Sequence, residues 1–166
     1  MKKLGIVLGL AAALVLQSTF FSLWAWTGVK PDLVTVIVIL TGLLHGLAPG
    51  SLVGFLSGLV LDYAVGRLIG AGAVSKMLVG GLSGWLAPRI FGDHLAVPPL
   101  VVLVGTWLEQ FVYLLLAKAF GSNLPLSKGF WTVVLPVGLV NVVFAFPIYY
   151  ALVALGQIPR QGGLEG

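Results

Sequence analysis

The sequence holds no cysteine, only two histidines and very little charge: Asp, Glu, Lys and Arg together make up 8% of its 166 residues. The missing cysteine excludes disulfides and thiolate metal sites. A soluble domain of this length carries about 25% charged residues, and charge this sparse does not coat a water-facing surface. The formal net charge of +4 is scattered along the chain. No basic run marks a nucleic-acid footprint, and scattered Lys and Arg are what membrane interfaces collect. His45 and His94 both fall near breaks between apolar runs, with no carboxylate at metal-ligand spacing. G-x-S-x-G, H-E-x-x-H and phosphate-loop patterns are all missing. No metal, cofactor or catalytic constellation is therefore expected, and the chain does not read as an enzyme.

What is present is long apolar runs. Hydrophobic residues make up 59% of the chain, and mean hydropathy is +1.11. The expected class is an all-α polytopic membrane protein, one integral domain over residues 1–166 with the lipid bilayer as its main solvent. About 20 mostly apolar residues cross the hydrocarbon layer as a helix. About six such spans follow: Leu4–Leu23, Leu33–Leu47, Ser51–Ile69, Ala71–Ile90, Val97–Ala119 and Phe130–Leu155. Breakers at Gly28–Pro31, Pro49-Gly50, Gly70–Gly72, Gly92–Pro99 and Gly121–Pro125 separate them. The first run is long and no Ala-x-Ala site follows it, so it reads as a span rather than a signal peptide. Positive charge falls on both sides of this arrangement; only Lys2-Lys3 favours an inside N-terminus.

Small residues form the most ordered pattern. Gly50, Gly54, Gly58, Asp62, Gly66 and Gly70 recur every fourth residue. Shorter versions are Gly5, Gly9 and Ala13 in the first span, and Gly80 and Gly84 in the fourth. Glycines at this spacing let another backbone approach closely. On a straight helix each step of four drifts about 40°, so two or three of the positions face one neighbour. These faces either pack helices within the chain or receive a partner's helix.

An ionised side chain at the centre of a span costs about 2.5–3.5 kcal/mol on insertion scales, so the polar residues inside the runs matter. Asp62 and Lys76 each lie seven residues from Ile69, which predicts an ion pair across a tight hairpin. Glu109 and Asn141 are both sixteen residues from Pro125, so they are expected at one depth, joined by Gln110. They either satisfy each other or line a small polar cavity. An unpaired Glu at that depth takes up a proton, because desolvation disfavours the charged form.

The residues also carry a resemblance. Leu16-Gln17-Ser18-Thr19, then Val29-Lys30-Pro31-Asp32-Leu33, then Gly50 through Asp62, then Leu68-Ile69-Gly70 and the Gly80–Gly84 stretch resemble the rod shape-determining protein MreD family, in order and at family spacing. The likeness covers most of the first ninety residues and is weak after Pro98. It implies a bacterial inner-membrane protein of about six spans, both termini cytoplasmic, similar in fold to the substrate-binding subunits of energy-coupling-factor transporters. It places Lys30, Pro31, Asp32 and the turn near Gly70 on the outer side. It implies a non-catalytic role in the machinery of lateral peptidoglycan synthesis. The direct partner would be an MreC-like bitopic protein. MreB filaments, RodA and a class B penicillin-binding protein would be reached through it. The competing expectation is a small-molecule binding or transport subunit with Glu109, Gln110 and Asn141 at its ligand site.

Overall fold

A computed structural model describes residues 9–13, 15, 30–66, 68–90, 97–121 and 129–154. All regular elements among them are helical: α1 Leu33–His45, α2 Leu47–Val65, α3 Ala71–Ile90, α4 Val97–Ala119 and α5 Leu135–Ala154. A π-helical turn, Phe130–Val134, leads directly into α5. Residues 9–13 and 15 are also helical. Gly5 and most of the first expected span lie outside the described residues.

Local chemistry sets the boundaries. Asp32 caps α1 by accepting a hydrogen bond from the Thr35 amide at 2.9 Å. Gly46, at φ +96°, separates α1 from α2, and its N–H donates to Gly42 O at 2.8 Å. The break therefore precedes the expected Pro49-Gly50 position. Pro49 sits inside the first turn of α2, where a missing N–H costs nothing. The α2 helix ends at Val65, four residues sooner than expected, because Gly66 takes the left-handed conformation (φ +64°).

Helices α2, α4 and the segment Phe130–Leu152 are long and apolar enough to cross a membrane. Two other helices depart from the expected spans. At 13 residues, α1 is about 20 Å long, short of the ~30 Å hydrocarbon layer. It is the core of the bundle: every residue from Leu33 to Leu43 is buried, with α2, α3, α4 and α5 around it. Leu10 and Ala13 of the N-terminal helical segment join the cluster formed by Leu33, Val34, Ile37 and Val38. The α3 helix has a spanning length of 20 residues but a less apolar composition. Its buried face is rich in Gly, Ala and Ser and packs against α1, α2 and α4.

The outward faces have the opposite character. On α2 the buried residues are Gly50, Gly54, Ser57, Gly58 and Asp62. Leu52, Phe55, Leu56, Leu59, Val60 and Tyr63 on the same helix are exposed. Small and polar residues inside, large apolar ones outside, is the arrangement a lipid solvent selects.

The glycine ladder is spent within the chain. A Cβ added at Gly50 would collide with Gly80 O, one at Gly54 with Lys76 O, and one at Gly58 with the Gly72–Ala73 backbone. Steps of four on α2 thus meet steps of about four, running backwards, on α3. A Cβ on Gly84 would strike Gly46 and Leu47. Gly42, which the sequence reading passed over, abuts Gly80 and Ser83. Gly42, Gly50 and Gly80 therefore bring three backbones together at one crossing. Gly66 is different: nothing lies near its missing Cβ, and its role is the helix stop. Gly9 makes only ordinary contact distance, 4.0 Å, with Ile37.

Candidate functional site

The polar side chains inside the bundle converge on Lys76. Its Nζ donates to Asp32 Oδ2 at 2.8 Å, to Thr35 Oγ1 at 2.7 Å and to Glu109 Oε1 at 2.9 Å. Three donors meet three acceptors, which is what an ammonium needs once water is removed. Lys76 and Glu109 are buried, with side chains 5% and 2% exposed, and Asp32 is 13% exposed. Four segments supply the cluster: the N-terminal end of α1, the second turn of α3, and the middles of α4 and α5.

Each member is placed by its helix. Asp32 is held by capping α1, its Oδ1 on the Thr35 amide and its Oδ2 on Lys76. The positive end of α1 favours the anionic form at this position. Ser75 Oγ donates to the same Glu109 oxygen at 3.0 Å. Asn141 Oδ1 accepts the Asp32 amide at 2.8 Å, and its Nδ2 donates to Thr106 Oγ1 at 3.2 Å. Asn141 thus joins α5 to the start of α1 and to α4. Glu109 Oε2 is buried and has no hydrogen-bond partner.

Two expected pairings are replaced. Lys76 bonds Asp32 and Glu109 instead of Asp62. The Asp62 carboxylate accepts the Gly70 and Ala73 amides at 2.9 and 3.1 Å, closing the N-terminal end of α3 from the neighbouring helix. The cause is the early stop of α2 at Val65, after which Asp62 faces the first turn of α3, about one turn short of Lys76. A Cβ on Gly72 would strike the Asp62 carboxylate, so the cap needs glycine there. Likewise, Glu109 and Asn141 do not satisfy each other. Asn141 meets Thr106, one turn before Glu109 and farther from the α4–α5 connection. Gln110 is half-buried and takes no part in these bonds; it lies about 100° around α4 from Glu109.

Of Lys30-Pro31-Asp32, only Lys30 is exposed, while Pro31 is buried and Asp32 reaches the ion cluster. From sequence these residues form only a motif loop, with no expected link to Lys76. Thr35, Ser75 and Thr106 are not singled out there either. Their signals are faint but present: Asp32-x-x-Thr35 is a capping spacing, Ser75 adjoins Lys76, and Thr106 lies one turn from Glu109 on the same face.

Comparison with protein-family models, with curated proteins and with solved structures returns no match. Among the described residues, no group of three or more His, Cys, Asp or Glu side chains is placed to hold a metal ion.

Proposed function

We propose that the chain is a non-catalytic scaffold of the MreD kind. It would work in a bacterial inner membrane, with about six spans and both termini cytoplasmic, and bind an MreC-like bitopic protein within the cell-elongation complex. The observation that carries this reading is where the motif residues go. Asp32 ties α1 to α3, Gly50, Gly54 and Gly58 seat α2 on α3, and Asp62 caps α3. The residues behind the resemblance thus act as a framework joining helices. That use fits a rigid membrane platform.

Because the glycine ladder is occupied internally, the docking surface for a partner's span lies elsewhere. Among the described residues, the outward apolar faces of α2, α4 and α5 are candidates, beside Gly9 of the N-terminal helical segment. A second reading, a small-molecule binding subunit with a fold similar to energy-coupling-factor substrate-binding components, is favoured by one observation. The Asp32–Lys76–Glu109 cluster lies deep in the bundle, and Glu109 has one oxygen without a partner.

Purification from native membranes under mild detergent separates the two readings. The scaffold reading expects co-purification of an MreC-like bitopic protein, and loss of rod shape on depletion. Recovery of ATPase subunits with no such protein would overturn it in favour of transport.

A further inference from the structure

The ion cluster contains two carboxylates and one ammonium, so with both acids ionised it carries an excess negative charge inside the bundle. Removing ions from water costs several kcal/mol each, recovered only when every charge is well paired. Among the described residues Lys76 is the one cation bonded to either acid, and both acids draw on it. They are not equally provided for. Asp32 has a donor on each oxygen, the Lys76 ammonium on one and the Thr35 amide on the other, and it sits at the positive end of α1. Glu109 has both of its donors, Lys76 and Ser75, on Oε1. Its Oε2 is buried and receives no hydrogen bond.

The geometry points to Glu109 Oε2 as a proton-binding site, occupied at neutral pH, that makes the Asp32–Lys76–Glu109 cluster electrically neutral. The proton converts an excess charge into a neutral carboxylic acid whose Oε1 still accepts from Lys76 and Ser75. Among the described residues the other neighbours supply no competing charge. Thr35 stands on α1, Ser75 on α3, and Thr106 and Asn141 on α4 and α5, all neutral. Asp62 of α2 is engaged with the α3 amides. The inference does not rest on the scaffold reading; it holds for a binding subunit equally.

The chain contains only two glutamates, Glu109 and Glu165, which allows a test without altering the cluster. The full-length protein is labelled with 13C at the glutamate side-chain carboxyl, reconstituted into lipid, and followed by solid-state NMR. One signal is expected at the carboxylic-acid position at neutral pH, and it should survive Glu165→Gln. Two carboxylate signals at neutral pH would overturn the proposal. So would a Glu109 signal that responds to replacing sodium with choline at fixed pH, since a metal cation would then balance the charge.

Discussion

Two regions hold α3 in place, and they work by opposite means. At one end, Gly42, Gly50, Gly80 and Gly84 bring backbones together with no side chain between them. Toward the other, Lys76 joins α3 to α4 and to the start of α1 through polar side chains. The glycine crossing depends on excluded volume, and its neighbours are backbone atoms that have nowhere to move. The ion cluster depends on charge balance, and its members are flexible. In lipid, where burying apolar surface drives helix association little, close packing and polar satisfaction are what remain to specify a fold. The comparison teaches that a small residue and a charged one can do the same job by different physics.

The sharpest way to break the comparison is to fill the crossing. Gly80→Leu places a side chain into the Gly50 backbone and the Val38 side chain. Overpacking in an ordinary core costs about 1–3 kcal/mol. Here the obstacle is backbone, and the expected result is loss of monodisperse protein on size-exclusion chromatography. Gly105→Ala is the control: its Cβ would meet mainly the end of the Ile39 side chain, so a folded, mildly destabilised protein is expected.

The second test strikes the cluster. Lys76→Met leaves Asp32 and Glu109 buried without their shared cation, and breaking a buried pair this way costs about 3–5 kcal/mol. Adding Asp32→Asn and Glu109→Gln to Lys76→Met removes the stranded Asp32 charge and replaces the neutral Glu109 acid with a neutral amide. Most of the loss in unfolding midpoint should return in the triple variant. If the triple variant is no better than Lys76→Met alone, packing of the lysine stem, and not charge, holds this end.

Asp62→Ala is expected to cost less, about 1–3 kcal/mol, the usual penalty for leaving buried donors unmet. The two exposed amides at the start of α3 should then show faster hydrogen exchange, while α1 and α4 stay protected. Simultaneous loss of protection throughout would mean that the cap and the ion cluster are one cooperative unit.

Much of this fold is legible in the sequence, and the failures are instructive. Helix α4 and the start of α3 fall where apolar periodicity and breakers put them. The ladder's spacing anticipates the α2–α3 seam, but stopping the reading at Gly50 hid its extension back through Gly46 to Gly42. That extension crosses a helix break, which a periodicity argument on one helix does not see. The ion cluster was only half legible. Lys76, Glu109 and Asn141 stand out as polar residues in apolar runs, yet their partners were chosen by counting from turn centres. An early helix stop at Val65 is enough to exchange the partner of Asp62 and Lys76. Asp32 was noticed as motif, not chemistry, because nothing local says that a short helix begins deep inside the bundle.

The smallest expected effect lies at Gly9, and it bears on which small residues are free for other uses. Among the described residues an added Cβ at Gly9 meets only Ile37, at ordinary contact distance. Gly9→Ala should therefore change stability by no more than about 0.5 kcal/mol, the range of substitutions that touch no special feature. That tolerance makes it a clean probe, unlike any position in the α2–α3 seam. If Gly9→Ala leaves the unfolding midpoint unchanged but lowers recovery of a co-purifying membrane protein, this glycine serves a contact outside the chain. If both are unchanged while Gly9→Leu lowers the midpoint, the first helix packs only inward, and its small residues belong with those of the seam.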